Sequence, residues 1–337
     1  MNIQRKWMAV LSLGLLLSVQ SASNAADFSP STEPEPCVVR DSAGDLLGWA
    51  DYPHCLIELR ALSTVRWLDD WLGHPEMDER ASLALRAISE FTIDDKGDLT
   101  AALRLRAQVA LPRLSKRLSL VFEDESKEAN SLRSIPTVNE SALALRWLLV
   151  NLERMRIETD AGVRSGPDVF VRGRFASSYA ISTDDQVRFT QSLRYSAKEK
   201  VRAINTLDYN HALQDDSVFT LYHQLDYQQD NAIDGTFWSR GAVFSRALST
   251  SSSAAFGAGQ EGVSDGWQER SRHVWLRYRQ QFLREWLFYE IEPRLTQTRE
   301  RDWDTLPSLT LRLEVHFGHH RRDKAPRVAF LPNVDER

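Results

Sequence analysis

The stretch LTLRLEVHF, Leu309 to Phe317, decides how the rest of the chain is read. Leu309, Leu311, Leu313, Val315 and Phe317 alternate with Thr310, Arg312, Glu314 and His316. Side chains on an extended strand alternate faces, so one face here is apolar and the other polar and charged. The same period runs through most of the chain after about residue 80. In 99–111, Leu103, Leu105, Ala107, Val109 and Leu111 oppose Arg104, Arg106 and Gln108. In 186–195, Val187, Phe189, Leu193 and Tyr195 oppose Arg188, Thr190, Ser192 and Arg194. In 287–298, Leu287, Tyr289, Ile291 and Leu295 oppose Glu290, Glu292 and Arg294. Pro293 falls on the apolar face there, and its missing N–H predicts a local bulge.

Turn residues cut this pattern into strands over 82–93, 99–111, 117–123, 141–150, 156–163, 168–179, 186–195, 201–212, 217–227, 236–248, 253–260, 273–283, 287–298 and 308–317. That is an all-β chain: an antiparallel barrel of fourteen strands, spanning a membrane. The weakest strand is 253–260, which is rich in Ser and Gly, so twelve strands is the alternative. A barrel strand needs only about 9–11 residues to cross a bilayer. It scores as hydrophilic in a long window, so the mean hydropathy of −0.40 fits a barrel or a soluble protein. A soluble sandwich would have to bury these apolar faces against a second sheet. The strand ends offer a further test. Phe91, Phe122, Tyr195 and Tyr227 fall at one end of the barrel, and Trp147, Tyr179, Phe282 and Phe317 at the other, as two aromatic girdles would. The longest connections, 124–140 and 261–272, fall together at the first of these ends.

The barrel occupies 81–317 and is preceded by two other segments. Residues 1–25 have the form of a secretory signal: basic Arg5 and Lys6, an apolar run from Met8 to Val19, and small residues before cleavage after Ala25. Residues 26–80 form an N-terminal segment that opens with Pro, Ser and acidic residues. Apolar residues at helical spacing in 56–72, stopped by Gly73 and Pro75, predict one amphipathic helix. Trp67 and Trp71, one turn apart, are expected to pack on the barrel. Cys37 and Cys55 are the two cysteines of the chain. Lying in an exported segment, they read as one disulfide. Residues 318–337 form a polar tail that includes His319 and His320.

The pattern over 81–317 resembles the Gram-negative outer-membrane β-barrel class. Leu309–Phe317 is similar to the closing insertion signal of that class, which alternates and ends in an aromatic, here Phe317. The tail after Phe317 departs from it, because most members end at the aromatic. The resemblance implies location in the outer membrane of a Gram-negative bacterium, with outer-membrane lipid and the barrel assembly machinery as partners. The motifs H-x-S-N-G and F-x-H-x-S, which mark outer-membrane phospholipase and lipid A deacylase, are absent. An outer-membrane enzyme is therefore the less favoured class.

The charged faces make the interior the candidate site: Arg104, Arg106, Arg146, Arg172, Arg174, Arg188, Arg194, Arg277, Arg279, Glu290, Glu292, Arg312 and Glu314. Two readings stay open. One is a ladder of cross-strand ion pairs that fills and stiffens the barrel. The other is an Arg-rich passage favouring anionic solutes. The acidic segment 27–80 is expected to enter or cap the periplasmic mouth and pair with interior arginines, or to lie beside it as a flap. No catalytic residue, cofactor, metal site or nucleic-acid partner is expected.

Overall fold

The computed structural model describes residues 51–72, 81–112, 115, 117–124, 141–166, 168–213, 216–230 and 235–318. They form one α-helix, α1 (Asp51–Leu72), two three-residue 3-10 helices and fourteen strands. The strands are β1 (Ser82–Ile93), β2 (Leu99–Ala110), β3 (Leu118–Asp124), β4 (Ser141–Leu152), β5 (Met155–Arg164), β6 (Asp168–Ala180) and β7 (Asp185–Ser196). They continue as β8 (Lys200–Leu213), β9 (Ser217–Gln228), β10 (Phe237–Ala247), β11 (Ser252–Val263), β12 (Gln268–Gln281), β13 (Leu287–Thr298) and β14 (Thr305–Gly318). Each strand pairs antiparallel with its sequence neighbours, and β14 returns to β1 to close the barrel. Closure removes the two free edge strands of an open sheet, and among the described residues β2 pairs with β3 over Ala107–Ala110 alone.

The expected strand number and order are observed, and the differences are local. The span 261–272 is not a long loop. β11 and β12 run through most of it and are joined by residues 264–267. Pro293 makes no bulge, because β13 stays in one register with β14 through Pro293↔Leu309. The register shifts lie elsewhere, between Leu148 and Val150 on β4 and between Glu261 and Gly262 on β11. The β1–β2 turn shows how local chemistry sets a reversal: the Asp94 carboxylate accepts from the backbone N–H of Lys96 and Asp98, and Gly97 takes the positive φ of 82°.

The outward faces are apolar as expected. Leu143, Leu145, Val171, Leu193, Leu276 and Leu311 are all exposed. Phe91, Tyr195 and Tyr227 are exposed near one end, and Trp147, Tyr179 and Phe282 near the other. Phe317 departs from this pattern at only 8 % exposure.

The helix explains that departure. His54 stacks on Phe317 and Trp286 at centroid distances of 4.7 and 4.1 Å. His54 Nε2 donates to the His316 carbonyl at 2.7 Å. Leu62 and Val65 pack with Ala81, Leu83, Val109 and Leu111. Leu83 and Val109 are register partners on the face opposite Arg86 and Arg104. So α1 lies against the outside of the wall at the end where β14 finishes, and does not enter the barrel. Its acidic first residue, Asp51, meets Arg284 of the β12–β13 turn at 2.8 Å, not an interior arginine. Those hydrogen bonds hold the Asp51 carboxyl below its ordinary pKa and raise that of Arg284. The expected packing of Trp67 on the barrel is not seen: Trp67 is 62 % exposed. The side chain of Trp71 lies outside the described residues, as do residues 1–50, 73–80 and 319–337. Cys55 is disulfide-bonded, and Cys37 also lies outside the described residues.

Candidate functional site

Period-two alternation and barrel closure together place the charged side chains in the interior, and cross-strand register decides which of them meet. On β1, β14, β13 and β12 the register sets Glu90, Arg312, Glu290 and Arg279 side by side, alternating in sign. Arg312 reaches Glu90 at 2.6 Å and Glu292 at 2.7 Å, and also pairs with Glu290. Arg277 reaches Glu292 at 2.6 Å and Glu290 at 3.2 Å. Arg279 reaches Glu314 at 2.6 Å, and Arg86 and His316 also bond Glu314. Arg104 pairs with Glu90 at 2.8 Å. Glu292 is shared by Arg277, Arg294 and Arg312.

A second row crosses β4 to β8: Arg146, Asp160, Arg172, Arg194 and Arg202. It carries four arginines and one carboxylate. Asp160 accepts from Arg146 and from Arg172, each at 2.9 Å through Nε, with Arg174 at 3.6 Å. Arg194 turns to Glu199, which also holds Arg164 at 2.9 Å, and Arg164 pairs with Asp168. Arg202 pairs with Asp226 at 2.7 Å. Arg106 faces Arg86 in register, and Arg188 faces Asp208.

Burial decides what these pairs are. Arg277 is 2 % exposed and Asp160 1 %. A charge that deep persists only when paired and hydrogen-bonded. Guanidinium forks that bond a carboxylate through two nitrogens fix the side chains along the wall.

A third stretch of wall, β9 to β11, is built differently. Its inner face carries Thr220, Tyr222, Ser239, Val243, Ser245, Ser253 and Ala255, all buried. Two aromatics lie across glycines. A Cβ on Gly257 would stand 2.4 Å from the Trp275 ring, and one on Gly241 or Gly259 would stand 2.6 Å from the Tyr222 hydroxyl. Tyr222, Val243, Ala255 and Trp275 form one apolar cluster.

Several interior residues escape sequence reasoning. Glu199 sits in the β7–β8 turn and Asp168 at the start of β6, so alternation does not assign them a partner. Tyr222 and Trp275 point inward where the period alone marks polar positions. The signal for them is the run of glycines at 241, 257 and 259 on neighbouring strands.

No family model and no curated protein matches the chain. Solved structures do show a likeness. OmpT, an outer membrane protein of Vibrio cholerae, is 8 % identical, with 72 % of this chain and 100 % of that one covered at a TM-score of 0.44. The outer membrane channel DcaP of Acinetobacter baumannii is 9 % identical, with 71 % and 97 % covered and a TM-score of 0.43. OccK11 of Pseudomonas aeruginosa is 10 % identical, with 71 % and 96 % covered and a TM-score of 0.42.

Proposed function

We propose that the chain is an outer-membrane β-barrel whose interior is a charged passage for small anionic solutes. The observation that carries the membrane reading is the inversion of the usual burial pattern. Leu143, Leu193 and Leu311 face out and are exposed, while Arg172, Arg277 and Glu292 face in and are buried. Water-soluble monomers rarely expose contiguous apolar patches beyond a few hundred Å². A bilayer is the solvent that suits such a belt, and a closed barrel satisfies the backbone within it. Lipid is then the partner of the outer face, and assembly machinery of the bacterial envelope would insert the barrel.

The passage reading rests on the β4–β8 row, where four arginines and one aspartate stand side by side on a single stretch of wall. Rings of fixed guanidinium favour anions. Fourteen strands lie between the eight that side chains can fill and the sixteen to eighteen that leave a water channel. The full burial of Arg277 and Glu292 favours the second reading, an interior closed by its own ion pairs. Planar-bilayer recording separates the two. The passage reading expects conductance steps and a reversal potential of anion sign in a KCl gradient, reduced by Arg194→Gln with Arg202→Gln. A folded barrel with no conductance would leave the filled reading.

A further inference from the structure

The outer face holds a row that does not fit an apolar belt. Register sets His223, Arg240, Gln260, Arg272, Gln297 and Thr305 side by side on β9 to β14. The next outward row, toward the α1 end, is Leu221, Ala242, Ala258, Val274 and Leu295. Ala242 and Ala258 are small between larger neighbours. A groove of about 800 Å³ opens there, with the polar row along one side. Its floor includes Gly241 and Gly259, with the Tyr222 ring against their inner side.

The two arginines of this row are held without a carboxylate among the described residues. Arg240 bonds the Gln260 side-chain carbonyl at 3.1 and 3.2 Å and lies 5.1 Å from the Trp238 ring. Arg272 bonds the Gln297 side-chain carbonyl at 2.7 Å and lies 5.1 Å from the Trp303 ring. By contrast, Arg277, Arg312 and Arg172 inside the barrel each meet a carboxylate. Neutral amides and aromatic rings orient the outer guanidiniums and leave their charge uncompensated. A lipid-facing cation is unfavourable without an anion beside it. Arg240 and Arg272 stand two strands apart, about 10 Å, a span that two extended arms can close on one phosphate.

We propose that this groove binds a lipid with a phosphate-bearing head, its phosphate held by Arg240 and Arg272 and its acyl chain in the slot over Ala242 and Ala258. This rests on the membrane reading above and adds a defined lipid site to it. The charge of the row selects phosphate and the shape beneath it selects a chain, so neither a free anion nor a neutral lipid satisfies both.

The test uses the full-length folded protein in dodecyl maltoside micelles doped with dioleoyl phosphatidic acid or with dioleoylglycerol. Native mass spectrometry counts retained lipid. The expected result is about tenfold greater retention of phosphatidic acid than of dioleoylglycerol. Arg240→Gln with Arg272→Gln brings it down to the neutral level, and Arg240→Lys with Arg272→Lys keeps most of it. Ala258→Leu, which fills the slot and leaves both cations, lowers it as well. Equal retention by wild type and the Gln pair overturns the site, as does displacement of the lipid by millimolar inorganic phosphate. Heat-modifiable migration confirms that each variant is folded. Fractionation of the wild type with outer membranes keeps the two readings apart. Absence from that fraction defeats the membrane reading itself, whereas presence there with unselective retention defeats only the lipid site.

Discussion

Two stretches of the same wall solve the problem of an enclosed interior in opposite ways. From β12 through β14 to β2 the inner face is a lattice of opposite charges, with Glu292, Glu314 and Glu90 each shared by more than one arginine. From β9 to β11 it carries mainly small and neutral side chains, with Tyr222 and Trp275 laid over glycines. The charged stretch gains its order from partners, and losing one partner strands the others. The neutral stretch gains its order from close fit, and adding one atom disturbs it. The outer face follows the contrast. The outer groove opens over the β9–β12 region, whose wall carries Gly241 and Gly259.

Removing a carboxylate should produce the largest effect. Asp160→Ala leaves Arg146 and Arg172 buried without their shared partner. A loss of about 3–5 kcal/mol is expected, read as a lower unfolding midpoint in urea by heat-modifiable migration. A midpoint within error of wild type would show that water already compensates these arginines and that the row is not dry.

The matching change in the neutral stretch is smaller. Gly257→Ala places a methyl within 2.4 Å of the Trp275 ring. Overpacking of this kind costs about 1–3 kcal/mol. The near-ultraviolet circular dichroism of the indole should change with it, and Gly173→Ala, where the added Cβ meets nothing within 4 Å, serves as the control. If both alanine variants behave alike, the aromatic-on-glycine contact contributes nothing to order.

The smallest effect is expected at the rim. Asp51→Asn weakens the contact of α1 with Arg284 and leaves the barrel midpoint unchanged, while limited proteolysis of 51–72 becomes faster. The pH dependence has a definite sign. The carboxyl pKa of Asp51 is lower in the docked state than in a free chain, so the contact is complete above the ordinary carboxylate range. Its contribution fades as pH falls through the lowered pKa. Proteolysis of α1 should therefore accelerate only in acid, and an Asp51→Asn protein should lose that acid dependence.

The strand plan was legible because alternation is a local property that a closed barrel preserves. Leu99–Ala110 and Leu287–Thr298 fall within a residue of the sequence boundaries. The misread span, 261–272, shows the limit. Gln268, Arg270 and Arg272 are exposed on a strand whose outer face has become polar, so a polar run there does not mean a loop. Alternation put Arg172, Arg194, Arg277 and Glu292 on one set of faces, and these four are buried, but it did not supply their pairings. Glu199 lies in a turn, where no period assigns a face, yet it holds Arg164 and Arg194. The position of α1 was not legible either. The acidity of 27–80 suggested interior arginines, whereas the helix takes its place from the outward Leu83 and Val109 and from a stack on Phe317. Such a choice depends on which apolar surface the finished barrel leaves open, and a linear pattern does not contain it.

The central claim is that one face of each strand meets lipid and the other a charged interior. Spin labels placed singly from Leu309 to Phe317 in the reconstituted protein test it most directly. Collision with oxygen should dominate at 309, 311 and 313, and collision with a water-soluble nickel chelate should dominate at 310, 312 and 314 if the interior is wet. Site 317 should be shielded from both by His54. Oxygen access without alternation, or nickel access at 311 and 313, would contradict the account.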